Sequence, residues 1–271
     1  MVLKAKRSAC ALTIGGLDPG GGAGVLADAR AFSRAGVLGC AVTATLTVQS
    51  TSGLRAARAL DHAELEAQAR EVLRVQSVRA VKTGALGSAA NVRAVARLLG
   101  RHPELPVVVD TVLLPTRGSA RLLASGAVRA LRDQLLPHAT LATVNVPEAE
   151  ALTGMRVTRL AEGEAAAREL LKTGVFAVLV KGGHLTGRHA TDLLVGPDDT
   201  LELLRDRLDL GPTHGTGCTL ASLITGRLAR EESPARGWDD LVAAVRWAKR
   251  VHHDALSEAR DVGGDLRVLF L

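Results

Sequence analysis

Short apolar runs that end in a polar residue constrain the fold of this chain more than any other feature. Val107–Asp110 and Ala177–Lys181 both have this form. Runs without polar alternation are typical of strands covered on both faces, as in a parallel sheet. Helical patterns separate such runs, and this alternation indicates βαβ units. The sequence therefore predicts an α/β fold with a mainly parallel central sheet and helices on both faces.

The predicted elements cover most of the chain. Strands are expected at 9–15, 39–48, 78–82, 106–110, 139–144 and 176–181, and an antiparallel hairpin at 192–207. Helices are expected at 24–35, 61–75, 88–100, 121–135, 160–173 and 238–260, where apolar residues recur three and four positions apart. Because no linker, repeat or low-complexity tract divides the 271 residues, we expect one domain, residues 1–271.

Charge and cysteine usage argue against several classes of partner and site. The formal net charge is +6, but basic and acidic residues interleave along the helices predicted at 61–75 and 238–260, which is typical of solvated faces rather than a nucleic-acid site. Cys10, Cys40 and Cys218 form no CxxC pair, which fits a reducing cytoplasm and neither a disulfide framework nor a zinc cluster. No apolar run reaches membrane-spanning length. We expect a cytoplasmic protein with neither nucleic acid nor membrane as a partner.

The segment His214–Thr219 joins a glycine turn to a thiol. Apolar residues at helical spacing run from Thr219 to Leu228, which places Cys218 at a helix N-terminus. Unpaired N–H groups of residues 215–218 are expected to converge there and to favour an anion such as phosphate. A thiol in this field should have a lowered pKa and serve as a base near neutral pH. The alternative is an ordinary glycine loop with a small buried cysteine.

Several polar residues follow predicted strands, where open α/β sheets bind ligands. The amide of Gln49 can pair with the amino group and ring nitrogen of an aminopyrimidine, although such a glutamine is commonly a surface residue. Asp110, Asn145 and Glu148 supply oxygen ligands of the kind that Mg²⁺ takes together with substrate phosphates. Glu148 is equally explained as an acid in the first turn of a helix.

Two lysines near glycine at strand ends are also candidates. Lys181 can place an ammonium near phosphates, and Lys82 either does the same or extends along its strand end. The glycine-rich run 15–24 after the first strand lets a ligand approach the backbone, or is a flexible turn. No acidic residue ends a second strand in the place that a dinucleotide site requires, so a nicotinamide site is not expected. The chain also has no GxxxxGK[ST] motif, so nucleotide chemistry of the P-loop kind is not expected.

Together these segments resemble the hydroxymethylpyrimidine/phosphomethylpyrimidine kinases of thiamin biosynthesis, within the ribokinase-like superfamily. The resemblance spans nearly the whole chain and is most specific at Gly215-Thr216-Gly217-Cys218, where sugar-kinase relatives have aspartate in place of the cysteine. Further matching segments are Ala11–Ile14, Asp18-Pro19, Gly21–Gly24, Ala27-Asp28, Val48-Gln49, Lys82–Leu86, Val109–Val112, Asn145–Glu150 and Lys181–His184.

The resemblance implies a ribokinase-like fold without a separate lid domain, a homodimer, and a kinase that uses ATP and Mg²⁺. Its substrates would be 4-amino-5-hydroxymethyl-2-methylpyrimidine and then the monophosphate of that alcohol. The implied roles are a base at Cys218, stabilisation of the transferred phosphoryl group by Gly215, Thr216 and Gly217, substrate binding by Gly16, Asp28, Gln49, Ala85 and Val112, ATP binding by Asn145, Lys181, His214 and Thr216, and metal binding by Asp110 and Glu148.

Some positions depart from the family pattern. Pro115–Ser119 replaces a loop that usually contains a lysine, which Arg117 can replace, and the usual C-terminal tail is absent. Ala85 stands where many members have methionine, which loosens the pocket. The alternatives are a pyridoxal or pyridoxine kinase of the same superfamily and a non-catalytic pyrimidine-binding regulatory protein. Gln49 favours the pyrimidine, because a B6 ring has no exocyclic amino group for the amide to engage.

Overall fold

The computed structural model describes residues 8–113, 117, 122–124, 126–184, 189–231 and 237–271. Its strands are β1 (Cys10–Leu17), β2 (Leu38–Ser50), β3 (Gly53–Ala59), β4 (Val78–Thr83), β5 (Val107–Asp110), β6 (Leu141–Asn145), β7 (Ala177–Lys181), β8 (His189–Val195), β9 (Thr200–Asp206), β10 (Thr213–His214) and β11 (Arg267–Val268). Its α-helices are α1 (Gly24–Arg34), α2 (His62–Val75), α3 (Ala89–Leu99), α4 (Ala127–Ala130), α5 (Val146–Thr153), α6 (Leu160–Leu171), α7 (Thr216–Arg230) and α8 (Trp238–Ser257).

Nine strands form one sheet in the order β3-β2-β1-β4-β5-β6-β7-β8-β9. Neighbours from β2 to β7 in this order are parallel, whereas β3 at one edge and β8 and β9 at the other pair in antiparallel fashion. The carboxyl ends of six parallel strands therefore meet at one edge of the sheet. Helices α1, α7 and α8 pack on one face and α2 to α6 on the other. The predicted α/β architecture is confirmed.

Alternation along the strands builds the two apolar layers. In β1, Ala11 faces the layer formed with α1, α7 and α8, whereas Leu12 faces the layer on the opposite side. Both residues are completely buried. A strand buried on both faces is mainly apolar, which explains the continuous apolar runs. Among the described residues, no helix is both long enough and apolar enough to cross a membrane.

Side-chain caps set the starts of two helices. Asp61 accepts a hydrogen bond from the backbone N–H of Ala63 at 2.8 Å at the start of α2, and Ser88 accepts one from Asn91 at 3.1 Å at the start of α3. These bonds satisfy donors that have no partner inside the helix. Helix α5 ends at Gly154, whose φ of 74° is the left-handed conformation that favours glycine.

The structure differs from the predicted elements in three places. Strand β3 was not predicted, and it consists mainly of alanine and arginine rather than β-branched residues. Helix α5 was not among the predicted helices either. The helix predicted at 121–135 is α-helical only over Ala127–Ala130, continues as one π-helical turn and ends in a 3-10 segment at Leu136–His138. Part of that prediction, at residues 121 and 125, lies outside the described residues.

Both tryptophans of the chain lie on α8, and the chain has no tyrosine. Trp238 and Trp247 are partly buried against the layer between α8 and the sheet. A Cβ added at Gly196 would come within 2.5 Å of the Trp238 ring, so the glycine makes room for this indole. The start of α8 is thereby seated against the loop that follows β8.

A buried ion pair joins four elements beneath the carboxyl edge of the sheet. Lys82 of β4 donates to both carboxylate oxygens of Asp28 in α1, at 3.0 and 2.9 Å. Thr13 of β1 donates to Asp28 Oδ2 at 2.6 Å, and Ser222 of α7 donates to Oδ1 at 2.7 Å. The two charged side chains are 1% and 0% exposed. A charge buried to this degree is stable only while its partners remain.

Replacing Lys82 with Met is expected to lower the free energy of unfolding by about 3 kcal/mol, because the Asp28 carboxylate would lose its counter-charge in the core. The measurement is urea unfolding at neutral pH. Lys172→Met is the matched control, since Lys172 pairs with Glu169 at the surface and is 72% exposed. Equal stability of the two variants would contradict a structural role for the buried pair.

Candidate active site

One cavity of about 930 Å³ lies at the carboxyl edge of the parallel strands. Its wall contains every residue to which the sequence assigned a role except Asp28: Gly16, Gln49, Ala85, Asp110, Val112, Asn145, Glu148, Lys181, His214, Gly215, Thr216, Gly217 and Cys218. Parallel strands bring these residues together because their ends meet at the same edge. The structure thus gives one location to the predicted site and leaves the individual roles as predictions.

The glycine turn begins α7 three residues earlier than the apolar pattern indicated. Gly215 precedes the helix with a φ of 73°, and a Cβ at this position would lie 1.9 Å from the carbonyl oxygen of Gly22. The first intrahelical bond runs from the Thr219 N–H to the Gly215 carbonyl at 2.9 Å. The N–H groups of residues 216–218 precede that bond, so they are available to an anion in the cavity.

A lysine lies directly beside this turn. A Cβ at Gly217 would come within 3.2 Å of Lys181 Nζ, so only a glycine leaves the ammonium this close to the helix start. Lys181 Nζ is 3.2 Å from Asp110 Oδ1 and 3.8 Å from Glu148 Oε2. Burial disfavours the ammonium, but the two carboxylates outweigh it and raise the pKa of Lys181. A cation and the helix N-terminus therefore face the same part of the cavity.

Glu148 forms the helix cap that its sequence position allowed and also lines the cavity, while its metal-binding role stays a prediction. Its Oε2 accepts the backbone N–H of Asn145 at 2.9 Å while Asn145 Oδ1 accepts the N–H of Glu148 at 2.8 Å, which is a capping box at the start of α5. Oε2 also accepts from the Thr111 hydroxyl at 3.1 Å. The side chain is nevertheless part of the cavity wall, opposite Asp110 and next to Lys181.

The donor set fits Mg²⁺ only if a ligand completes it. Asp110 is ionised, since Lys181 and Lys82 overcome its burial and hold its pKa below the ordinary value. Asp110 and Glu148 are two carboxylates, and no group of three or more metal-binding side chains occurs in the described part of the chain. Mg²⁺ commonly uses one or two carboxylates and takes its remaining oxygens from phosphates and water. These two residues can hold the ion against a bound polyphosphate.

The Cys218 thiol is less acidic than the sequence predicted. The cavity leaves part of the residue exposed, yet burial raises the pKa of its thiol to about 12. Lys82 and the backbone N–H of Gly24 oppose this rise, whereas Asp110 and Asp28 add to it. The predicted lowering of the pKa is wrong because loss of solvent outweighs the helix N-terminus. The thiol is therefore protonated at neutral pH.

Two further predictions need correction. Asp28, predicted to bind substrate, is completely buried, and its oxygens are occupied by Lys82, Thr13 and Ser222. It acts from beneath the cavity wall rather than on a ligand. Lys82 neither extends into solvent nor points freely at phosphate, because its ammonium is bound to Asp28.

His214 lies on the same side of the cavity as Gln49. Its Nε2 is 2.8 Å from Asp18 Oδ2 and 3.2 Å from Gln49 Nε2. A Cβ at Gly22 would come within 2.5 Å of the imidazole, so the first glycine loop packs directly on the ring. The ATP-binding role that the resemblance implied for His214 stays a prediction.

Sequence reasoning missed a polar group on α8. Lys249 donates to Asp192 Oδ2 at 2.7 Å, and Asp192 Oδ1 accepts the backbone N–H of Gly182 at 2.9 Å, which fixes the turn after Lys181. His252 donates from Nε2 to the Thr216 carbonyl at 3.0 Å, and burial, aided by Lys249, lowers its pKa to about 3. Lys249 and His252 lie on the apolar stripe of α8 and not on its solvent-exposed face. This position was the signal available in the sequence.

The C-terminal residues support the same region. Strand β11 pairs in parallel with β10, the strand that contains His214. Arg117, the one described residue of the divergent segment 115–119, lies 3.7 Å from Asp265 in an exposed ion pair and is absent from the cavity wall. The other residues of that segment lie outside the described residues.

Gly215→Ala is expected to lower the free energy of unfolding by roughly 3 kcal/mol, since a side chain there would have to adopt a positive φ and overlap the Gly22 carbonyl. Urea unfolding measures the stability, and calorimetry measures the affinity for ADP, which should fall at least tenfold. Gly237→Ala is the control, because no described atom lies within 4 Å of its Cβ position. Wild-type values for Gly215→Ala would refute the close packing of the two loops.

Alkylation of Cys218 by iodoacetamide is expected to be slow at pH 7.5 and to accelerate about tenfold per pH unit from pH 8 to 10. The reason is that only the thiolate reacts, and its fraction grows in this way below a pKa of about 12. Site-resolved mass spectrometry separates Cys218 from Cys10 and Cys40, which are buried. A plateau between pH 7 and 9 would instead indicate the lowered pKa that the sequence suggested.

This chain is similar to known kinases over most of its length. The sequence profile described as phosphomethylpyrimidine kinase matches residues 18–268. A hydroxymethylpyrimidine/phosphomethylpyrimidine kinase of Streptomyces coelicolor is 41% identical over 94% of this chain and 91% of its own length. The protein of the same name from Rhizobium meliloti is 40% identical over 93% and 92%, respectively.

Two solved structures share the fold. The ADP complex of Bacillus subtilis pyridoxal kinase matches with a TM-score of 0.85 at 27% identity, covering 97% of each chain. Phosphomethylpyrimidine kinase of Clostridium difficile matches with a TM-score of 0.78 at 32% identity, covering 91% of this chain and 99% of its own. The nine-stranded sheet is thus the ribokinase-like fold of these kinases. From the profile match and the two relatives, this chain belongs to the phosphomethylpyrimidine kinase family.

Proposed function

We propose that this protein uses MgATP to phosphorylate 4-amino-5-hydroxymethyl-2-methylpyrimidine and then phosphorylates the resulting monophosphate to the diphosphate. The supporting observation is that a single cavity contains an amide suited to an aminopyrimidine, Gln49, and a helix N-terminus suited to a phosphoryl group, at Gly215–Cys218. The names of the relatives agree with this substrate class.

The geometry suits phosphoryl transfer by positioning and charge neutralisation. The N–H groups at the start of α7 and the Lys181 ammonium would contact the transferred phosphoryl group, and they are held before the reaction begins. Asp110 and Glu148 would hold Mg²⁺, which neutralises charge on the phosphates when bound. Asn145, the last residue of β6, would contact the nucleotide.

Cys218 is proposed to take the proton of the hydroxymethyl group during transfer to the alcohol. Because its thiol is protonated at neutral pH, the proton must leave before Cys218 can act, and nearby cations favour that step. Lys82 already lowers the pKa of this thiol. Transfer to the monophosphate needs no base, since the acceptor oxygen of a phosphate is already deprotonated.

Three further properties are part of this proposal: the whole chain acts as one domain, the protein is a homodimer, and it works in the cytoplasm. The homodimer rests on the resemblance, whereas the single domain rests on the undivided sequence and the location on the cysteine usage. The rival activity is phosphorylation of pyridoxal, since structural relatives include pyridoxal kinases. A non-catalytic regulatory protein would be expected to lack the competent groups of the cavity wall, which this chain has.

Cys218→Ala is expected to reduce phosphorylation of the alcohol by about 10²- to 10⁴-fold and to leave phosphorylation of the monophosphate within a few-fold of wild type, because only the first step removes a proton. The assay follows ADP formation from MgATP with the aminopyrimidine alcohol, its monophosphate and pyridoxal side by side. The wild-type enzyme should prefer the two pyrimidines.

Cys40→Ala is the matched control, since it removes a buried thiol from the apolar core outside the cavity wall. Its turnover should equal that of wild type. Full alcohol turnover in Cys218→Ala would remove the thiol from the mechanism, and preference of the wild-type enzyme for pyridoxal would replace the proposed substrate.

A further inference from the structure

The clearest unexplained feature of the cavity is a chain of three polar side chains from three separate segments of the sequence. Asp18 comes from the loop after β1, Gln49 from the end of β2 and His214 from β10. All three residues line the cavity, but Asp18 and His214 are only 2% and 4% exposed, whereas Gln49 is partly exposed. Two buried groups therefore lie next to the one residue that is proposed to hydrogen-bond to the pyrimidine.

Asp18 in this chain is a carboxylate. Its Oδ1 accepts the backbone N–H of Gly20 and its Oδ2 that of Ala23, each at 2.9 Å. Burial disfavours ionisation, but the bonds from His214 and from these two N–H groups outweigh it and keep the pKa of Asp18 below its ordinary value. An ionised carboxylate only accepts hydrogen bonds.

The carboxylate determines which nitrogen of His214 has the proton. His214 Nε2 lies 2.8 Å from Asp18 Oδ2, so Nε2 must carry a hydrogen and donate it. Nδ1 is buried without a partner among the described residues, which is less unfavourable for an acceptor than for a buried N–H. The ring cannot turn away easily, because Gly22 packs against it.

The same Nε2–H, shared between Asp18 Oδ2 and Gln49 as a three-centre hydrogen bond, determines the orientation of the Gln49 amide. In the structure the Gln49 Nε2 stands 3.2 Å from His214 Nε2, and a half turn about the last side-chain bond exchanges the amide oxygen and nitrogen. Two N–H groups cannot hydrogen-bond to each other. The amide atom that faces the imidazole must therefore be the carbonyl oxygen, and the NH₂ group must face the cavity.

We propose that Asp18 and His214 lock the Gln49 amide with its carbonyl oxygen on the imidazole and its NH₂ group toward the ligand, which makes both of them specificity-determining positioning residues. The inference rests on the proposed function, in which Gln49 reads a pyrimidine edge. A locked NH₂ group selects a ring nitrogen that accepts, and the second lone pair of the carbonyl accepts from an adjacent amino group. The reversed pattern, a ring N–H beside an oxo group, is rejected.

The test uses the aminopyrimidine alcohol and its 4-oxo counterpart, 5-hydroxymethyl-2-methylpyrimidin-4(3H)-one. We expect wild-type kcat/KM to favour the amino compound by about a hundredfold or more, since two hydrogen bonds are mismatched in the oxo compound. His214→Leu removes the donor and frees the amide to turn, so this ratio should fall at least tenfold. His214→Gln keeps an N–H donor toward Asp18 and should retain most of the ratio.

A structural role and a positioning role give different results. If His214 only supported the fold, His214→Leu would lower turnover of both compounds and leave their ratio unchanged, which would overturn the inference. Action through Gln49 further requires that the ratio in Gln49→Ala equals that in Gln49→Ala/His214→Leu. Different ratios in these two variants would also overturn it. Thermal unfolding verifies that each variant is folded.

Failure of the proposed function remains distinguishable from failure of this inference. If the wild-type protein phosphorylated neither pyrimidine, the proposed reaction would be refuted, and calorimetric Kd values for the two compounds would then supply the same ratio. Equal binding of both compounds by the wild-type protein would refute the proposed orientation of the Gln49 amide. A ratio of the two compounds that falls as far in His214→Gln as in His214→Leu would refute it as well.

Discussion

The position of the active-site helix depends on one buried carboxylate. Asp28 joins α1 to β1, β4 and α7 through Thr13, Lys82 and Ser222, and Ser222 lies one helical turn after Cys218. A buried charge with several partners tolerates little displacement, because losing Lys82 would leave the carboxylate without its counter-charge and losing either hydroxyl would remove one of its hydrogen bonds. The helix that presents the glycine turn is thereby held in fixed register with the strands whose ends form the rest of the cavity.

The sequence predicted the fold and the location of the site well, because both follow from short-range patterns. Continuous apolar runs mark strands covered on both faces, and their polar ends, Asp110, Asn145 and Lys181, meet because the strands are parallel. The glycine turn could be predicted from the local sequence for the same reason, since backbone N–H groups at a helix start need no particular tertiary partner. Residues whose location depends only on their place along an element were therefore placed correctly, while their roles stay predictions.

What the sequence could not predict depends on tertiary burial. The predicted pKa of Cys218 was wrong because desolvation is a property of the assembled cavity, whereas the helix N-terminus can be recognised from the local sequence. Asp28 matched the family pattern, but nothing in its neighbourhood reveals that Lys82, 54 positions away, occupies its carboxylate. The pair of Asp192 and Lys249 is likewise joined across 57 positions. Strand β3 forms because it pairs with β2, which outweighs its weak β propensity.

The placement of both tryptophans on α8 has a practical consequence. With no tyrosine in the chain, the ultraviolet emission of this protein comes almost entirely from two indoles on a single helix. One of them, Trp238, is seated against Gly196 beside the antiparallel edge of the sheet. Intrinsic fluorescence will therefore report detachment of that helix rather than global melting, and comparison with circular dichroism shows whether the two occur together.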